Sequence, residues 1–132
     1  MPRETRTRRV TSAQTRAYLG KAEEFLLAAR ESRDAGYALA ATSLAVHAAI
    51  NASDAICGVR TGQRAAGSDH AEAIELLTRA GREGKEAARI LTRLIPLKNR
   101  AEYEPRDVPK ATATRAVDQA EKVLQIARQV AG

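Results

Sequence analysis

The sequence predicts an all-α protein, an antiparallel up-down bundle of four to five helices. Three observations predict it. Alanine, the best helix former, supplies 28 of the 132 residues. The eight glycines and four prolines fall mostly between apolar stretches rather than inside them. Those stretches repeat at three- and four-residue spacing, the period of a helix face. Aromatic residues make up only 3% of the chain, so the core is built from Ala, Leu, Ile and Val. A chain of this length makes one domain and can bury a core without disulfides or metals.

Residues 1–10 have no periodicity and read as a disordered basic arm, with the bundle over residues 11–132. Thr11 or Ser12 can cap a first helix. Tyr18, Ala22, Phe25, Leu26 and Ala29 form its apolar stripe, and Gly36 ends it. A second helix is expected over 37–58. Its Ala38, Ala41, Ala45, Ala48, Ala52 and Ala55 make a seam of small residues, suited to close packing against another helix or a second subunit. Residues 58–68 read as a loop. Asp69 looks like an N-cap, with Glu72 completing a capping box. The third helix is expected over 69–80, broken by Gly81 and Gly84. The fourth starts near Lys85 and buries Ala87, Ala88, Leu91, Leu94 and Ile95. Pro96 predicts a kink rather than a stop, and the helix ends by Glu104. Thr112 can cap a fifth helix lined by Ala113, Val117, Ala120, Leu124, Ala127 and Ala131.

Composition bounds the function. The net charge is +6, and half of it comes from Arg3, Arg6, Arg8 and Arg9 against Glu4. A basic arm on a basic body suits nucleic acid or an acidic protein, or is simply solvated. One cysteine, Cys57, excludes an intramolecular disulfide and points to a reducing compartment. The start is basic with no apolar stretch after it, so no secretory signal is expected. The longest apolar stretch carries His47, Asn51 and Asp54 and is rich in Ala, so no membrane span is expected. The expected location is cytoplasmic. Two histidines, His47 and His70, and one cysteine are too few for a structural zinc site, and no di-metal pattern is present. No metal and no cofactor is expected.

Two groups of residues can carry chemistry. On the second helix, Ser43, His47, Asn51 and Asp54 share one side at spacings of four, four and three. That side faces solvent, or it forms a polar wall facing the Arg100 segment. Residues 94–108, LIPLKNRAEYEPRDV, hold the second group: Lys98, Asn99, Arg100, Glu102, Tyr103, Glu104 and Arg106. Arginine offers a planar fork of donors that matches phosphate geometry. Tyr103, three residues on, shares a helix face with Arg100. Such a pair can stack a base or hold a partner; equally, Arg100 can form a salt bridge while Tyr103 closes the bundle end.

Three segments resemble the HEPN superfamily of small bacterial helical bundles, over roughly residues 15–130. AATSLAVHAAINASDAICGVRTG resembles the family's Ala-rich helix with an embedded polar residue. GSDHAEAIELL resembles the segment opening its third helix, with Ser68 and His70. LKNRAEYEPRDV resembles its Arg-x-x-Asp-Tyr variant, with Arg100, Glu102 and Tyr103 in those places. The resemblance implies a homodimer. It also implies a toxin-like role in a two-gene toxin–antitoxin system, with a minimal nucleotidyltransferase as partner and RNA as substrate. Its activity would be metal-independent RNA cleavage, in which the 2′-hydroxyl attacks its own phosphate. A His acts as general base or acid, and an Arg stabilises the charged phosphorus centre. The family's signature places that His after the Arg with four to six residues between them. Here those places hold Pro105, Arg106 and Asp107, so His47, oriented by Asn51 or Asp54, is the substitute if its face points at Arg100. The implied catalytic residues are therefore Arg100, His47, Asp54 and Tyr103. Asn51, Lys98, Asn99, Glu102 and Arg106 are left for RNA or partner binding. The alternatives are a catalytically inactive protein-interaction module and a nucleic-acid binder working through the Arg-rich arm.

Overall fold

The computed structural model describes residues 7–66 and 70–132. It is an all-α helical bundle with one small ribbon. In chain order the elements are β1 (Thr7–Arg9), α1 (Ser12–Asp34), α2 (Ala38–Thr61), β2 (Gln63–Ala65), α3 (His70–Thr78), α4 (Gly81–Tyr103) and α5 (Lys110–Ala131). The Asp69 cap, Ser68 and the first six residues of the basic arm lie outside the described residues.

Local chemistry sets the helix ends. Thr11 caps α1 through a capping box: its hydroxyl accepts from the Gln14 N–H at 3.1 Å, and the Gln14 side chain accepts from the Thr11 N–H at 2.9 Å. At the other end Gly36 adopts φ +89°, where a side chain would be strained. The Tyr37 N–H then reaches back to the Ser32 carbonyl at 2.8 Å, closing a Schellman turn. That turn folds α2 back along α1.

α2 is the central element, packed on α1, α5, α4 and α3. Its alanine seam, Ala41 through Ala55, is fully buried in the chain's own core. The seam is thus used by intramolecular neighbours and is not left for a second subunit. Leu26, Val46, Ile56, Leu77, Leu91, Leu94, Val117, Val123 and Leu124 fill the remaining interior.

Four boundaries differ from the sequence expectation, each for a physical reason. α2 runs past Gly58 to Thr61. Gly58 is a close-approach site: a Cβ there would run into the Thr15 hydroxyl and Val10. α4 starts at Gly81, a full turn before Lys85. Gly84 lets that first turn press against the Leu77 carbonyl and Ala80 at the end of α3. α5 starts at Lys110, after an extended Pro109 rather than a Thr112 cap. Finally, the arm is not unstructured throughout. Thr7–Arg9 pairs antiparallel with Gln63–Ala65, inside the segment expected to be loop, with Arg8 opposite Arg64. α4 continues through Pro96, which sits exposed inside the helix.

Candidate functional site

The last turns of α4 divide their polar side chains between two faces. Lys98 and Glu102 are four residues apart and form an ion pair at 2.8 Å; the Lys98 side chain is only 16% exposed. Arg100 lies midway between them, roughly 160° around the helix. One face therefore meets α2 and the other meets α5.

On the α2 face stands His47. Its ring stacks on Phe25 of α1, with centroids 5.4 Å apart and planes 27° from parallel. Burial holds its pKa below the ordinary 6.5, and the Lys98 charge adds to that. Glu102 opposes the shift, and His70 weakly reinforces it. The imidazole is therefore neutral at pH 7. The Asn51 amide donates to the His47 backbone carbonyl at 2.8 Å, a contact within the helix that leaves the ring alone. Asp54, two turns on, does not orient the ring either. Burial raises its carboxyl to about 6, and Arg64 of β2 partly offsets this. Cys57 is pushed up to about 12 by burial and by Asp54, so its thiol is unreactive. Arg64 in turn lies over the Tyr18 ring at 5.4 Å.

On the other face is an open cleft of about 340 Å³ between the end of α4, residues 104–109 and the first turns of α5. Arg100, Arg106 and Arg115 line it, with Glu104 and Asp107 at the same cleft. None of the three arginines makes an ion pair among the described residues. α5 opens here with no side-chain cap and no acidic residue in its first turn, so its N–H groups and partial positive charge face an anion favourably. Three free guanidiniums around a concave surface suit a phosphate.

A family model of the HEPN domain matches residues 15–130. The chain belongs to the HEPN domain family. No curated protein matches it. The position expected for the HEPN arginine, Arg100, is thus an unpaired cation in a cleft. The structure does not bring Arg100 and His47 together within one chain, because α4 stands between them. Tyr103 is 81% exposed and makes no contact with the cleft. Asn99 is exposed too. Lys98 and Glu102 serve each other and His47, whereas Arg106 joins Arg100. Arg115 escapes sequence reasoning because it sits among the charges of an amphipathic helix; only its place one turn after Thr112, at the mouth of α5, marks it out.

Proposed function

We propose that this HEPN chain is a toxin-like, RNA-binding member of a two-gene system. It acts as a homodimer with a minimal nucleotidyltransferase as its partner. The observation that carries RNA binding is the cleft of Arg100, Arg106 and Arg115, three unpaired guanidiniums at the start of a helix. The backbone phosphate seats there, and the remaining strand runs over the exposed Tyr103. Family membership supports the dimer, and the partner is the one that the resemblance implies.

Binding without cleavage is the reading the geometry supports best. The three positions where a catalytic His would follow Arg100 hold Pro105, Arg106 and Asp107. Losing a general base costs about two to four orders of magnitude in rate. One observation favours metal-independent cleavage as a second reading: His47 is kept neutral, as a general base must be. In that reading a second copy supplies its His47 to this chain's Arg100.

The test uses a labelled RNA oligomer in EDTA, with wild type, Arg100→Ala and His47→Ala. Hydrogen bonds to charged groups are worth about 1.5–3 kcal/mol, so Arg100→Ala should weaken binding about tenfold or more. Intact RNA in every lane supports the binding module. Cleavage lost in both variants establishes the nuclease. Wild-type affinity in Arg100→Ala would sink the cleft as the RNA site.

A further inference from the structure

The Arg100 cleft also holds two carboxylates. Glu104 and Asp107 line it beside Arg100, Arg106 and Arg115. Neither makes an ion pair among the described residues, although three guanidiniums share the cleft. α5 opens here with no side-chain cap, so neither carboxylate is committed to its N–H groups. Local structure explains why Arg100 and Glu104 stay apart. They have the i,i+4 spacing at which Lys98 and Glu102 pair at 2.8 Å. But α4 ends at Tyr103, and Glu104 is already extended at φ −86° and ψ 142°. The spacing therefore no longer brings the two together. Asp107 lies between Pro105 and Pro109 in the segment joining α4 to α5. The two proline rings fix φ on either side of it and limit the freedom of the backbone that carries it.

A bare phosphate in this cleft would face both carboxylates. A carboxylate is an acceptor only and repels an anion seated beside it, so it lowers the affinity of any phosphate ligand that offers it no donor. A ligand with a donor next to its phosphate turns that penalty into a charge-assisted hydrogen bond. Size agrees. At about 30 Å³ per water, a cleft of about 340 Å³ holds the volume of about eleven waters, more than a phosphate fills. In nucleic acid the donor beside the phosphate is the ribose 2′-hydroxyl. An internal RNA phosphate lies between two sugars and so has one on either side, whereas DNA has none.

We infer that Glu104 and Asp107 are the specificity-determining residues of this cleft. The guanidiniums hold the phosphate, and the two carboxylates accept from the 2′-hydroxyls that flank it. DNA is disfavoured because it leaves both carboxylates facing the phosphate without a donor. Nucleic acid as the ligand rests on the function proposed above. The preference for ribose rests on the carboxylates.

The experiment measures the anisotropy of two labelled oligomers, an oligouridylate and its 2′-fluoro counterpart. The second keeps a ribose-like sugar pucker but has no hydroxyl hydrogen to donate. The base is the same in both, so its own donors cancel. Wild type is set beside Glu104→Ala/Asp107→Ala and Arg100→Ala/Arg115→Ala. Glu104 and Asp107 are exposed, so their truncation leaves the core untouched. Wild type should bind the ribo-oligomer about tenfold or more tightly than the fluoro-oligomer, the effect of one hydrogen bond to a charged group. Glu104→Ala/Asp107→Ala should bring that ratio close to one, weakening the first oligomer and tightening the second. A carboxylate pair that only dilutes the positive charge would instead tighten both equally and keep the ratio, which overturns the inference. A wild-type ratio near one overturns it too. If Arg100→Ala/Arg115→Ala binds both oligomers as wild type does, the phosphate seat itself falls and this inference with it. If that variant weakens both, the seat stands whatever the ratio shows.

Discussion

Asp54→Asn should stabilise the protein at neutral pH and do nothing at low pH. Burial lifts the Asp54 carboxyl from 3.8 to about 6, even with Arg64 nearby. At 1.36 kcal/mol per pKa unit, keeping it ionised at pH 7.5 costs about 3 kcal/mol of folding stability. The sign follows from proton counting. Between pH 3.8 and about 6 the folded chain binds more protons than the unfolded one, so stability falls as pH rises through that window. Above it the cost is complete; below pH 3.8 both states are protonated and the cost is gone. Asparagine has the shape of the protonated acid and never ionises. Urea unfolding at pH 7.5 should therefore show a gain of up to about 3 kcal/mol, or about 10 °C in Tm. The same pair at pH 3.5 should differ by little. Two results would refute this. One is a loss of stability at pH 7.5, which would make Asp54 a net favourable partner of Arg64. The other is an equal gain at both pH values, which would place the effect in packing rather than ionisation.

The remaining predictions read other parts of the structure. By NMR the His47 ring should titrate below 6.5, lower still in Glu102→Gln and higher in Lys98→Met, since those charges act in opposite senses. Because its folded pKa is depressed, the stability held by neutral His47 is full above 6.5 and is lost as pH falls. Gly84→Ala should destabilise by about 1–3 kcal/mol in a thermal melt despite alanine's higher helix propensity, because the new Cβ meets the Leu77 backbone carbonyl, which cannot swing away. Leu124→Ala should cost about 2–5 kcal/mol in chemical denaturation, since Leu124 is fully buried between helices.

Periodicity made most of the bundle legible. Ala22, Leu26 and Ala29 on α1, Leu91 and Leu94 on α4, and Val117, Ala120 and Leu124 on α5 are all buried as their spacing requires. The failures cluster at glycine and at short strands. Gly58 and Gly84 read as breaks, because a glycine that stops a helix and one that admits a neighbour look alike in sequence. The ribbon was invisible because three-residue strands have no period to detect, and β1 meets a partner more than fifty residues away. The site was half legible. Spacing alone pairs Lys98 with Glu102, and with the same arithmetic it sends Arg100 to the other face. Residues 94–108 are contiguous in sequence, but the helix divides them between two faces. Arg115 could not be singled out, since nothing local separates a cleft arginine from a solvated one.

The division explains which cations can take a ligand. Lys98 is mostly covered and already holds Glu102, so giving it to a phosphate would strand a carboxylate beside a neutral imidazole. Arg100, Arg106 and Arg115 have no such obligation. Their mutual repulsion is tempered only by Glu104 and Asp107 at the cleft. That arrangement costs little while water fills the cleft and becomes favourable when a phosphate anion replaces the water. Arg100 and Arg115 stand on helices whose other faces are packed on Leu91, Leu94, Ala116 and Val117, so the two cations are placed by the core and not by the ligand. A phosphate site of this kind needs no titrating group. Cleavage would need one, and within the chain the His47 imidazole is on the Lys98 and Glu102 side of α4, away from Arg100. Chemistry at Arg100 therefore depends on what a second molecule brings to it, whereas binding does not.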